Sequence, residues 1–146
     1  MLDYQKILNE NMINVLKDIL NNIKKNGLEN NNHLFITFLT YNENVEVSKW
    51  LKEKYPDELT IVIQYEYYNL EIYKDFFEIT LSFNDIKERL KITYDSIVSF
   101  ADPSANFGLK LSTNYKNKTN KKIVKKDKDN VINFSKFKKI NQNSND

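Results

Sequence analysis

The chain has 146 residues, of which 40% are hydrophobic, with one histidine, no cysteine and a formal charge of +2. That length and apolar fraction suit one domain with a core plus an appendage. Zero cysteines exclude disulfides and thiolate metal sites, and a single histidine argues against imaginable imidazole-pair metal centres and histidine-based triads with a second shell.

Residues 3–26 read as an amphipathic helix. Leu8, Met12, Val15, Ile19 and Ile23 recur at helical spacing along one face. Asp3 is placed to cap the start and Gly27 to take the left-handed position past the end. Ile7, Leu16 and Leu20 widen the stripe beyond what one small sheet needs. Two readings follow: the whole stripe packs into the core, or Leu8, Met12, Val15 and Ile19 contribute to a homodimer contact.

From His33 the period changes. Leu34–Tyr41 reads as a strand, Ser48–Lys54 as a short helical turn ended by Tyr55-Pro56, and Leu59–Tyr67 as a second strand. Phe77, Ile79, Leu81 and Phe83 alternate with polar residues, as a half-buried strand does. Asn84-Asp85 turns the chain into a strand carrying Leu90, Ile92 and Tyr94. A last pair, Ile97–Asp102 and Phe107–Leu111, is joined through Pro103. The expected fold is mainly β with one N-terminal α-helix: five or six short antiparallel strands in a small open barrel or strongly bent sheet.

Two glycines cannot build a glycine-rich phosphate loop, and the carboxylates are scattered over turns and outward positions. The chain therefore reads as a non-enzyme without a cofactor or metal. Gln64-Tyr65-Glu66-Tyr67-Tyr68 mixes rings with hydrogen-bonding groups, which suits a peptide groove as well as ordinary strand packing.

Charge divides the chain. Residues 112–146 carry ten Lys against three Asp, a local charge of +7, so −5 remains on residues 1–111. An acidic body opposes a phosphate backbone, while a lysine-rich segment with little apolar surface is expected to stay disordered. Beyond it an apolar patch returns at Val131-Ile132-Asn133-Phe134-Ser135-Lys136-Phe137. The expected organisation is a body over 1–111, a basic linker over 112–130, a docking motif over 131–140 and a disordered end over 141–146. No run of about 18 apolar residues is present. Met1-Leu2-Asp3-Tyr4 has neither the basic patch nor the apolar stretch of a leader. The cytoplasm is the expected location.

Several strings, taken in order, resemble the SspB family of adaptors that hand tagged proteins to the ClpXP protease. They are His33-Leu34-Phe35-Ile36, Leu51-Lys52-Glu53-Lys54-Tyr55-Pro56, Thr60-Ile61-Val62-Ile63-Gln64, Leu81-Ser82-Phe83 and Glu88-Arg89-Leu90. Ser99-Phe100-Ala101-Asp102-Pro103-Ser104 and Phe107-Gly108-Leu109 complete the set. The alphaproteobacterial branch is the most similar. The resemblance implies a small Sm-like or SH3-like open β-barrel, usually dimeric, whose groove binds the ssrA tag left on stalled-ribosome products. It also implies a tail motif that docks on the N-terminal domain of ClpX. Gln64 is the groove contact that transfers by resemblance; Tyr65, Tyr67, Ser82 and Phe83 join it from strand placement. Val131, Ile132, Phe134, Phe137 and Lys138 are the expected docking residues. The alternative reading is an Sm-like RNA-binding protein with a basic tail.

Overall fold

The computed structural model describes residues 1–29 and 31–112. The linker, docking motif and end expected over 113–146 lie outside the described residues.

Helix α1 spans Tyr4–Asn26. The Asp3 carboxylate accepts from the Lys6 N–H at 3.1 Å and satisfies a donor that the first turn leaves unpaired. At the other end Gly27, with φ +78°, donates its N–H to the Ile23 carbonyl at 2.7 Å. Met12, Leu16, Leu20 and Ile23 are the buried face. Lys24 ties the helix to the sheet through the Leu70 carbonyl at 3.0 Å and the Glu71 carboxylate at 2.8 Å.

Among the described residues seven strands follow: β1 Leu34–Leu39, β2 Glu58–Ile63, β3 Tyr68–Ile72, β4 Phe76–Phe83, β5 Ile86–Thr93, β6 Ile97–Asp102 and β7 Phe107–Lys110, with a short helix α2 at Lys49–Lys54. They form two antiparallel sheets in the orders β2-β1-β6-β7 and β3-β4-β5. The fold is mainly β with one N-terminal helix, and the sheets do not close into a barrel. β1 has neighbours on both sides and all six of its residues are buried. Phe38, Phe77 and Phe100 are fully buried in the shared core. Asn84 and Asp85, at φ 53° and 67°, form the two-residue turn between β4 and β5, whose positive φ values match the twist of a tight hairpin.

The sequence reading of five or six strands lacks β3, and two of its boundaries move by two residues or more. The first strand stops at Leu39, because Thr40 turns to bond Asp57 through its N–H and the Tyr55 carbonyl through its hydroxyl. The stretch Leu59–Tyr67 is not one strand: β2 ends at Ile63, Gln64–Tyr67 cross between the sheets, and β3 begins at Tyr68. That crossing carries neither glycine nor proline, so its β-rich composition concealed it. Asn69, with φ 51°, takes up the irregular register between Tyr68 and Glu71. Arg89 holds the outer face there, bonding the Asn69 carbonyl and the Glu78 carboxylate, each at 2.8 Å.

Tyr94 links α1 to the second sheet. Its hydroxyl donates to the Tyr73 carbonyl at 3.3 Å, and Lys17 Nζ lies 4.8 Å from its ring centre. Burial, then the Asp75 charge, push its pKa up to about 12. The folded state thus keeps a proton that the unfolded chain releases above pH ~10. The resulting stability is complete below that pH and is lost as pH rises towards 12, a loss of roughly 1–2 kcal/mol. Denaturant titrations between pH 9 and 12 should show a shallower decline for Tyr94→Phe than for the parent chain. Equal slopes would remove Tyr94 as the cause.

Candidate functional site

The crossing between β2 and β3 carries the groove residues expected from the sequence. Gln64 follows the last residue of β2 and is only 3% exposed, whereas adjacent Tyr65 is 73% exposed. Gln64 Oε1 is buried and has no hydrogen-bond partner among the described residues. An orphaned acceptor of this kind costs about 1–3 kcal/mol, and an incoming donor recovers that energy. Tyr65 packs edge-on against His33, with ring centres 6.1 Å apart. Tyr67 is half-buried and packs on the core.

Ser82 and Phe83 lie at the end of β4. Because Tyr68 pairs with Thr80 in antiparallel register, the crossing before Tyr68 and the strand end after Thr80 share one end of the sheet. Topology therefore brings Gln64, Tyr65 and Tyr67 towards Ser82 and Phe83. Phe83 is buried and Ser82 half-buried, so Phe83 supports the surface from beneath. Tyr68 closes the aromatic strip read from the sequence, whereas sequence reasoning did not assign two residues to this end: His33 and Ile86. Tyr68 is covered by Lys87, whose Nζ is 4.3 Å from the ring centre. Ile86, the partner of Phe83, is half exposed. The signal for Ile86 was its place immediately after the Asn84-Asp85 turn.

The arrangement offers aromatic area and a buried amide, features that a peptide-binding surface can use. Glu58 lies at the other end of β2. Burial, then Asp57, hold its carboxyl above the usual range, against a lowering pull from Lys110. Among the described residues no group of three or more metal-ligating side chains is gathered. No helix among them is long and apolar enough to cross a membrane.

The expected dimer residues divide by burial. Leu8 and Val15 are exposed at 41% and 39%, Ile19 is half-buried, and Met12 lies in the core. Ile7 and Tyr4, also exposed, extend the apolar surface along α1. Val131, Ile132, Phe134, Phe137 and Lys138, expected from the sequence as docking residues, fall outside the described residues. The chain reaches them from a fixed point: Ser112 donates its N–H to Asn9 Oδ1 at 3.2 Å, and its hydroxyl bonds Gln5 Oε1 at 2.8 Å.

Compared with known protein families, the chain matches the family described as SspB, stringent starvation protein B, over residues 6–146. No curated protein matches it.

Proposed function

The chain belongs to the SspB family of protease adaptors, and from that premise we propose that it captures ssrA-tagged products of stalled ribosomes and delivers them to ClpXP. The observation that carries this reading is a family match that runs through the body and the whole basic tail. In the proposal the tag lies extended across the end of the second sheet. Gln64 accepts a peptide N–H, Tyr65 and Tyr67 supply contact area, and Ser82 and Phe83 form the facing wall. Extended peptides suit such a site because main-chain bonds give affinity while alternate side chains enter pockets. The tail motif, Val131, Ile132, Phe134 and Phe137 with Lys138, then docks on the N-terminal domain of ClpX. The adaptor acts in the cytoplasm as a homodimer through the exposed side of α1, with Leu8, Val15 and Ile19 in the contact and Met12 supporting them from the core.

The test is fluorescence anisotropy with a labelled tag peptide. Absence of binding at about 100 μM, equivalent to roughly −5.5 kcal/mol, would sink the adaptor reading. Gln64→Leu sharpens it. Replacing an acceptor that has no donor in the free protein should leave stability unchanged or slightly raised. It should weaken the peptide about tenfold, the equivalent of one lost hydrogen bond. Weaker folding with unchanged affinity would place Gln64 in the scaffold alone. Unlabelled RNA that displaced the peptide would favour the nucleic-acid reading instead.

A further inference from the structure

A cavity of about 440 Å³ opens between the C-terminal end of α1, the loop after it and the turn leading into β7. Its walls include Ile19, Ile23, Leu28 and Phe107, and its rim includes the carboxylates of Asp18 and Glu29. Asp18 and Glu29 are exposed and form no ion pair among the described residues. Asp102, also in the lining, is held by Asn32 at 2.8 Å and by the Ser104 N–H at 3.0 Å. The last turn of α1 carries Lys24 and Lys25; Lys24 is engaged by Glu71 and neither lines the cavity, while the helix end adds its own partial negative charge. The site is an apolar groove with an acidic rim.

The chain contains a segment of opposite character. Lys121-Lys122-Ile123-Val124-Lys125-Lys126 places two β-branched apolar residues between two pairs of lysines. Ser112 anchors the start of the tail near Asn9, and Asn22 of the cavity lies thirteen residues further along α1, a distance of about 20 Å. Eleven chain steps separate Ser112 from Ile123, a length for which a flexible chain would span about 18 Å. A tether whose natural span matches the gap gives close to the highest effective concentration.

We propose that Lys121–Lys126 docks in this groove of its own chain, with Ile123 and Val124 against the apolar walls and the flanking lysines facing Asp18 and Glu29. Docking leaves six residues between Val124 and Val131, so the distal motif is held within about 15 Å of the groove. The tail becomes a salt-sensitive tether with a short, parked state and a long, released one. The inference goes beyond the tag-capture reading and stands without it.

The absence of cysteine makes a single-site label straightforward. The full chain carrying Thr119→Cys with a nitroxide is observed by NMR of its backbone amides. At about 50 mM salt the amides of Gly27, Leu28, Glu29 and Phe107 should broaden strongly while those of Asn84 and Asp85 do not, and about 0.5 M salt should restore them. Ile123→Ser with Val124→Ser should abolish the effect, as should Asp18→Lys with Glu29→Lys, both of which alter exposed or tail positions. Four results overturn the proposal. One is uniform or absent broadening. Another is broadening that survives Ile123→Ser with Val124→Ser. The third is broadening that disappears only when Val131 and Phe134 are replaced. The last is broadening that arises only between labelled and unlabelled molecules, which would assign the groove to a second copy.

Discussion

Deleting residues 130–146 is expected to leave tag affinity unchanged and to remove nearly all stimulation of ClpXP degradation at low substrate concentration. The physical reason is the tether. Residues 113–130 are polar and lysine-rich, and in the proposed reading these 18 residues serve as the tether, for which a flexible-chain span is about 23 Å. When the distal motif is docked, bound cargo is presented at roughly millimolar effective concentration, a gain on the order of 10²-fold without a new cargo contact. In the proposed reading Val131, Ile132, Phe134 and Phe137 make the docking contact, and removing them removes that gain. The groove residues Gln64 to Phe83 lie in the body and are untouched. The truncated chain should therefore inhibit degradation by occupying tags it cannot deliver. Rates with a tagged reporter, measured across substrate concentrations, decide the matter. Equal delivery by the truncated and full chains would show that the apolar patch is not the docking motif.

Met12→Asp and Val15→Asp, three residues apart on one helix, should fail in opposite ways. Met12 is 5% exposed among Leu16, Leu20 and the β-sheet residues, so an aspartate there buries an unpaired charge. The penalty is several kcal/mol, a large share of the stability of a domain this size, and the chain should unfold. Val15 is 39% exposed, and an aspartate there remains solvated in the monomer. Should the exposed side of α1 be the dimer contact, Val15→Asp gives a folded monomer. Circular dichroism and sedimentation together separate these results. A Val15→Asp chain that unfolds, or that stays folded and dimeric, would remove this face from the proposed interface.

Local chemistry was legible wherever a side chain acts on its near neighbours. Asp3 and Gly27 bound α1 as read, and the alternation of Phe77, Ile79, Leu81 and Phe83 became β4 with every second residue buried. Asn84-Asp85 became the hairpin turn. The boundary between Ile63 and Tyr68 was not legible, because the chain changes sheets there with tyrosines instead of the usual turn residues.

The sequence by itself therefore determined the helix, the half-buried strands, the acidic body and the basic tail, since periodicity, capping and charge act over a few residues. Only the tertiary structure decided which residues of the α1 stripe remain exposed. It turned Met12 inward and left Leu8 and Val15 outside, because the packed sheet covers less of the helix than its apolar stripe offers. It also brought Gln64 and Tyr65 to the same sheet end as Ser82 and Phe83, residues separated by about twenty positions in the chain. That meeting depends on antiparallel register between distant segments, and a one-residue shift would turn each side chain to the opposite face.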